Sequence, residues 1–443
     1  MCSIGGSPKI EEVEKMLEVM KHRAPDGSGW VGFDSFTVGM GRLAIIDLKS
    51  DGLCPYIEAH GSGILALAFN GEIYNYIELR EELIKLGWGF RTSSDIEVVL
   101  KAYRQWGKKC LDKFNGMFSL AISDGNYVFL ARDIAGEKPL YFTDKPFKFA
   151  SEAKALGFKC AEFLPAHYMI YNLKKKEIER YESYWELKPI KINLKTVEQD
   201  LENLLEDSIR IRTRSDVPYA LYLSNGVDSS LIKTFHKFKH TFTYEDKDYR
   251  KEFLRKFPKI LWHLDAPVNS FSAFGLYKLA ELASQKVKVV ISGEGADELF
   301  GGYVRYVQPH FNWMAQKAFP SYKGMFQKGE NVSEAGWREF NGNLRELLRM
   351  GDRMSSAFGI ENRCPFLDKR IIEFAYSLPD ELKINGLETK VLLNRILRKR
   401  NLKYKPVEKH GLYCSVPKWL GVPNRMDKNA YKNYQKVLWR KLV

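Results

Sequence analysis

The sequence predicts two domains of different class: an α+β domain with antiparallel sheets, then an α/β domain on a parallel sheet with a helical C-terminal part. Three observations carry that expectation. Short apolar strands dominate the first 173 residues, residues 174–195 are charged, contain Pro189 and lose sustained periodicity, and from Thr196 onward strands alternate with helices. Alternation of that kind is the pattern of a parallel sheet with crossover helices. A chain of 443 residues also exceeds one ordinary core, since a domain takes about 100–200 residues. The expected boundaries are 1–185 and 196–425.

In chain order, WVGFDSFTVGMGRLAIID (30–47), GILALAFNGEIY (63–74), MFSLAISD (117–124) and NYVFLARD (126–133) read as strands rich in β-branched and aromatic residues. Two helices interrupt them. YIELREELIKLG (76–87) spaces its apolar residues helically and stops at a glycine, and Ser93, Ser94 and Asp95 offer capping oxygens to a helix running to Trp106. In the second half an amphipathic helix from Thr196 leads into the strand PYALYLS (218–224) and then a helix. The strand HTFTY (240–244) follows, with KILWHL (259–264) next in the series, a helix from Ala273 to Gln285 and VKVVIS (287–292). Beyond Gly302 the spacing is helical and no further strand is expected.

Composition narrows the function. With 45% hydrophobic residues, and 33 Gly and 17 Pro scattered without a low-complexity tract, the chain is globular throughout. It has no basic-then-apolar leader and no run of 18 apolar residues, so a cytoplasmic address without a membrane partner is expected. Cys2, Cys54, Cys110, Cys160, Cys364 and Cys414 form no C-x-x-C pair, which signals neither a zinc site nor a disulfide framework. The net charge of +14 includes RILRKRNLKYK (395–405) and the C-terminal KNYQKVLWRKLV. Without a nucleic-acid motif beside them these read as solvated helix faces, and some positive charge suits a site for nucleotide phosphates.

Cys2 follows Met1 directly. Removal of Met1 would leave one residue carrying both a thiol and an α-amine, whose ordinary pKa of about 7.7–8.0 lets it act as the base. Attack by a thiolate creates an oxyanion, and NGEIYN offers the Asn70 side-chain amide and the Gly71 N–H as donors. A zwitterionic amino-acid substrate needs Arg42 for its carboxylate and Glu72 and Asp95 for its ammonium. These residues lie among HRAPDGSG (22–29), GRLAIID (41–47), NGEIYN (70–75), SSDIEVVL (93–100), RDIAGEKPLY (132–141) and FASEAKAL (149–156). In that order the motifs resemble the class II glutamine amidotransferase domain across nearly all of residues 1–173. The resemblance implies an αββα N-terminal-nucleophile fold that hydrolyses glutamine to glutamate and ammonia. It makes Cys2 the nucleophile, Asn70 and Gly71 the oxyanion hole, and Arg42, Glu72 and Asp95 glutamine contacts.

In the second half the strand PYALYLS runs into SNGVDSS (224–230) and a helix, a strand-turn-helix whose backbone N–H groups can cradle a pyrophosphate. It is not a Walker A loop, because G-K-[ST] is missing. SGEGADELFGGY (292–303) closes another strand and places Asp297 where it can share Mg2+ with Asp228. Both loops would lie at the carboxyl ends of parallel strands, where such sheets bind ligands. With FGIENRCPFLD (358–368) and KHGL (409–412) they resemble the ATP-pyrophosphatase-type domain of glutamine-hydrolysing asparagine synthetases. That resemblance implies adenylation of the aspartate side chain by ATP, then attack by ammonia arriving through the interior. It assigns Leu223 and Tyr244 to the adenine, Ser224, Gly226, Asp228, Ser229 and Ser230 to the phosphates, and Ser292 and Gly293 to the nucleotide. Glu361 would assist formation of the intermediate, and Lys390 would neutralise its charge or that of the leaving pyrophosphate. The loop departs from S-G-G-x-D-S in having Asn225, and only 69 positions separate Asp228 from Asp297. Glutamine, aspartate and ATP are thus the expected partners, with no nucleic acid and with a homodimer as the candidate assembly. A related amidotransferase for another carboxylate, on a peptide or sugar acid, and a non-catalytic relative are the competing readings.

Overall fold

A computed structural model describes residues 1–50, 53–266, 270–303, 306 and 331–402. Pro267, KHGL (409–412), Cys414, the C-terminal basic segment and the expected boundary at 425 lie outside the described residues.

Two six-stranded sheets form the first domain. In one, strand Ser3–Ser7 lies between Thr37–Gly41 and Phe147–Ala150, antiparallel to both, with Ser3 opposite Gly41. In the other, Gly63–Ile73 pairs antiparallel with Gly116–Ser123 and Tyr56–His60. Strands Ser3–Ser7 and Gly63–Ile73 pack against each other across the sandwich. Helix Ile10–Val19 covers the first sheet and Asp95–Trp106 the second, which completes the αββα layering. Ile4, Val38, Met40, Leu67, Phe69, Leu120 and Phe149 fill the space between. Each fully buried side chain of this size contributes about 1.5–3 kcal/mol.

Two expectations change in this domain. The apolar run 30–47 is two strands, Ser28–Gly32 and Thr37–Gly41, after which Leu43, Ile45 and Ile46 leave the sheet to pack on Val289 of the second domain. The charged stretch read as a connection contains strand Glu177–Ser183, at the edge of the second sheet. Its charges belong to the solvent-facing side of an edge strand, where charge discourages further pairing.

A four-stranded parallel sheet organises the second domain, in the order His240–Phe242, Tyr219–Tyr222, Val289–Ile291, Glu361–Arg363. KILWHL is not a strand but the end of helix Arg250–Leu264, whose Phe253, Phe257, Ile260, Leu261 and Leu264 fall on one buried helical face. Strand Glu361–Arg363 was not expected because its sequence, ENR, carries no apolar signal. It is buried through ion pairs instead. A further short hairpin, Ile384–Asn385 with Glu388–Thr389, also escapes the helical reading beyond Gly302. The helical part comprises Val332–Asn341, Asn343–Ser356, Lys369–Tyr376 and Val391–Arg400. Lys399 and Arg400 of the basic run both pair with Glu202 rather than facing an empty surface. Among the described residues no helix is long and apolar enough to cross a membrane.

Candidate active site

Cys2 leads into the buried strand Ser3–Ser7, 9% exposed, and its Sγ accepts a hydrogen bond from Leu43 N at 3.5 Å. Its carbonyl accepts from Arg23 Nε at 3.1 Å. Burial pushes the thiol up from its ordinary value, although the adjacent N-terminal charge opposes that shift. Met1 is itself 1% exposed, and burial lowers its amine to about 5.

Asn70 and Gly71 arrive on the facing strand, Gly63–Ile73. Asn70 is fully buried, and its Nδ2 donates to Ser119 Oγ at 3.4 Å. Gly71 has φ of 151°, and a Cβ there would stand 2.0 Å from the Met117 carbonyl oxygen. Only glycine fits so close to a neighbouring backbone. Asp95 accepts from Ile73 N at 3.1 Å, and burial raises its carboxyl to about 6. Arg42 turns onto carbonyls of its own loop, Ile46 at 3.2 Å and Asp47 at 2.6 Å. The fold therefore gathers the predicted oxyanion strand, Asp95 and Cys2 into one domain from two facing sheets and a helix start, with Arg42 on the loop that follows strand Thr37–Gly41.

Arg363, which the sequence reading left without a role, joins the two halves. Its guanidinium lies 3.0 Å from Glu72 Oε1 and 2.9 Å from Glu361 Oε1. Lys138 Nζ approaches Glu361 Oε2 at 3.5 Å. Burial works against an ionised Glu361, but Lys138 and Arg363 more than offset it and hold the carboxyl at about 2. Burial, with Asp95 and Glu361 close by, pushes Glu72 up against the opposing pull of Arg363. Glu361 thus has its ionic contacts at the seam facing the first site, whereas Glu294, in the loop with Ser292 and Gly293, is raised by burial and by nearby Asp228.

The loop 224–230 is tied together by its serines. Ser229 Oγ donates to Ser224 O at 2.8 Å and accepts from Ser224 N at 3.0 Å, and Ser230 N donates to Gly226 O at 3.2 Å. Gly226 caps helix Val227–Phe235 in an extended conformation, so the first-turn N–H groups open onto the loop. Asn225 is not among the described non-glycine residues with positive φ. Leu223 N donates to Phe242 O at 2.9 Å, and Tyr244 packs near Tyr222 and Phe358. Ser292 and Gly293 end strand Val289–Ile291, and a Cβ on Gly293 would lie 2.8 Å from Asp228 Cβ. The two loops are in van der Waals contact.

Lys390, 3% exposed, binds Asp228 and lies 2.7 Å from Asp297 Oδ1. The two carboxylates expected to hold Mg2+ therefore converge on one cation. Their hard oxygens fit that metal when triphosphate oxygens complete the set, although no group of three or more His, Cys, Asp or Glu able to hold a metal occurs among the described residues.

A second buried ionic cluster fixes the domains to one another. Arg23 grips Asp352 through both nitrogens, at 2.8 and 3.1 Å, and meets Glu152 at 2.9 Å. Arg353 reaches Glu152 at 2.9 Å and Asp265 at 3.1 Å, and Lys154 lies 2.5 Å from Glu152. Arg23, Glu152 and Arg363 all lie within recognised motifs, which was the one available signal.

Comparison with known proteins accounts for both halves. Residues 1–204 match the Glutamine amidotransferase domain family, and residues 200–247 and 237–403 match the Asparagine synthase family. A probable glutamine-hydrolyzing asparagine synthetase of Schizosaccharomyces pombe is 33% identical over 451 residues, covering 88% of this chain and 76% of its own. The chain belongs to the glutamine-hydrolysing asparagine synthetase family. Within that family, asparagine synthetase 1 of Bacillus subtilis is 28% identical, with 97% of this chain and 89% of its own covered. Asparagine synthetase B of Escherichia coli is also 28% identical, over 87% and 76%. Among solved structures a glutamine phosphoribosylpyrophosphate amidotransferase from B. subtilis matches 50% of this chain and 60% of its own, with a TM-score of 0.38 and 17% identity. That last likeness carries no weight beside the sheets themselves. As in this synthetase family, an N-terminal-nucleophile amidotransferase domain precedes an α/β synthetase domain in an ATP-dependent carbon–nitrogen ligase.

Proposed function

We propose that the chain makes asparagine in two linked steps, with domains 1–185 and 196–425 dividing the work. Cys2, with Met1 removed, attacks the glutamine side-chain amide, its own α-amine taking and returning the proton. Asn70 and Gly71 hold the oxyanion, while Arg42, Glu72 and Asp95 hold the amino-acid end of glutamine. Ammonia leaves as the γ-glutamyl thioester forms, and water then hydrolyses the thioester to release glutamate and restore the thiol. In the second domain ATP activates the aspartate side-chain carboxylate as an acyl adenylate, pyrophosphate departs, and ammonia displaces AMP to give asparagine.

Leu223 and Tyr244 flank the adenine, Ser224, Gly226, Ser229 and Ser230 hold the phosphates, and Ser292 and Gly293 complete the nucleotide cradle. Asp228 and Asp297 would hold Mg2+, which supplies charge to neutralise the phosphates. Lys390 shares that role, and Glu361 supports formation of the intermediate from the domain seam. The observation that carries this reading is Arg363, one guanidinium binding both Glu72 and Glu361. It supports the reading by tying the Gly63–Ile73 strand of the first domain to the edge strand Glu361–Arg363 of the second through one buried cation. A cytoplasmic setting and a homodimeric assembly belong to the same proposal, the latter checked by light scattering.

The decisive experiment is mass-resolved product analysis with glutamine, aspartate and MgATP. Asparagine, AMP and glutamate are expected together. If AMP release is stimulated by another carboxylate in a panel and not by aspartate, the acceptor is wrong.

A further inference from the structure

The loop that carries Arg42 is not held by the first domain alone. Arg42 donates to the carbonyls of Ile46 at 3.2 Å and Asp47 at 2.6 Å, so its guanidinium follows the path of residues 45–47. That path is fixed from the second domain. Asp47 N donates to Asp216 Oδ2 at 2.8 Å, and Asp216 N donates to Ile45 O at 3.0 Å. Asp216 thus makes two hydrogen bonds to the main chain of the loop, one through its carboxylate and one through its own amide. Leu43, Ile45 and Ile46 add apolar contact with Val217 and Tyr219.

Asp47 takes a left-handed conformation, with φ of 57°, which an aspartate reaches more readily than most residues because its short side chain bonds to nearby backbone. Its carboxylate accepts from Ser50 N at 3.0 Å, Ser50 Oγ at 2.7 Å and Ser93 N at 2.8 Å. Burial opposes ionisation of Asp47, but the Ser50 and Ser93 donors outweigh it and hold the carboxyl at about 2. Ser93 stands two residues before Asp95, whose carboxylate accepts from Ile73 N at 3.1 Å. The next residue, Tyr74, leads back to the second domain, where Arg214 Nη1 donates to its carbonyl at 2.5 Å and Arg214 Nη2 meets Glu78 at 2.5 Å. Hydrogen bonds and short chain segments therefore close a ring: Asp216 to residues 45–47, Asp47 to Ser93 and Asp95, Asp95 to Ile73, and Tyr74 to Arg214. Three parts of that ring carry Arg42, Asp95 and Glu72. The fourth is segment 214–216 of the second domain, itself pinned by Arg363 Nη1, which donates to the carbonyls of Arg212 at 2.8 Å and Arg214 at 2.7 Å.

We propose that Asp216 is a positioning residue of the glutamine site, supplied by the second domain, which sets the Arg42 guanidinium where it meets the α-carboxylate of glutamine. This rests on the assignment of Arg42 to that carboxylate in the reading above. A guanidinium grips a carboxylate through paired, parallel N–H donors, so a tilt of its loop weakens both bonds together. Asp216 touches neither glutamine nor the thiol. Its loss therefore loosens recognition of the amino-acid end and leaves the chemistry at Cys2 in place. Because Asp216 is exposed at the edge of the seam, it can be removed without opening a core.

The test measures, on the full chain, KM and kcat for glutamine hydrolysis, the inhibition constant of L-glutamate, and asparagine formation driven by ammonium chloride. Asp216→Ala is expected to raise KM for glutamine about fivefold, the scale of one lost hydrogen bond. The inhibition constant of L-glutamate, which presents the same amino-acid end, should rise in proportion, while kcat for hydrolysis and ammonium-driven synthesis each stay within about twofold. Asp216→Asn keeps an oxygen for Asp47 N and should hold KM within about twofold of the unaltered chain. The inference is overturned if Asp216→Ala shifts KM by less than about twofold, if kcat and ammonium-driven synthesis fall as far as KM rises, or if Asp216→Asn raises KM as much as Asp216→Ala. Should Asp216→Ala not fold, Asp216→Glu decides, since it keeps the charge but moves the acceptor by one methylene and should raise KM without lowering kcat. Arg42→Ala separates the inference from the reading beneath it. An unchanged KM there overturns the assignment of Arg42 and the inference with it, whereas a raised KM beside an unaffected Asp216→Ala rejects the role of Asp216 alone.

Discussion

The thiol site and the nucleotide loops both lie at strand ends against the domain seam, yet they are held by different forces. Around Cys2, two sheets bring Leu43, Asn70 and Gly71 together through strand pairing and backbone contact, and Gly71 fits only because it lacks a side chain. Around Asp228 the charged groups come from the starts of three helices, Val227–Phe235, Ala296–Phe300 and Val391–Arg400, and what draws them together is charge, with Lys390 between Asp228 and Asp297. The first arrangement resists added volume. The second is close-packed too, since a Cβ on Gly302 would lie 1.9 Å from Asp297 Oδ1, but it depends in addition on balanced charge, a difference that substitutions can expose.

The largest effect is expected from Cys2→Ala, which should reduce glutamine-driven asparagine formation on the order of 10⁴-fold or more. Synthesis from free ammonium should survive, and parallel assays with the two nitrogen sources measure the contrast. Comparable loss with both would remove the distinction between the sites. Intact mass of the active protein should also lack Met1, since an acylated α-nitrogen cannot serve as the base.

Arg353→Met tests the charge cluster that locks the domains. Leaving Glu152 and Asp265 buried with one cation fewer should cost about 3–5 kcal/mol in a denaturant melt. Acid sensitivity follows from the same groups. Burial opposes ionisation of Glu152, Asp352 and Glu361, but Lys154 and Arg353 outweigh it at Glu152, Arg23 at Asp352, and Lys138 and Arg363 at Glu361. The unfolded chain therefore binds more protons than the folded one between the ordinary value of 4.5 and about 2 for Glu361. Stability is complete above that window and is lost as pH falls through it. Arg353→Met should move the acid unfolding midpoint upward, and an unchanged midpoint would show that the cluster contributes nothing to acid resistance.

Lys390→Met should lower synthesis from either nitrogen source by about 10²-fold, because two carboxylates would face the phosphates without their shared cation. Glutamine hydrolysis should hold, and its equal loss would mean that the loops and the thiol site are not separable. The smallest effect belongs to Asn225→Gly. Asn225 already adopts an ordinary backbone conformation, so the change should alter KM for ATP by less than about threefold. A large gain in affinity would instead mark Asn225 as an obstruction in the phosphate loop.

Much of the architecture was legible from local pattern. Short, nearly continuous apolar runs announced Gly63–Ile73 and Gly116–Ser123, and the capping oxygens before Asp95 announced its helix, where Ser94 does accept from Ile96 N. KILWHL misled because a short apolar run fits a strand or a buried helix face equally well, and the helix was decided by Phe253 and Phe257 upstream. Strand Glu361–Arg363 was invisible because three polar residues carry no burial signal until Lys138, Glu72 and the neighbouring strand surround them.

By itself the sequence determined the order of the two domains, the thiol behind Met1, the strand carrying Asn70 and Gly71 and the serine-rich loop, since each is a property of neighbouring residues. Only the tertiary structure decided that Arg363 serves both Glu72 and Glu361, that Arg23 grips Asp352 across 329 positions, and that Lys390 sits between Asp228 and Asp297. Charge compensation in a low-dielectric interior depends on which groups are brought within a few ångströms of one another. Separation along the chain carries no record of that distance.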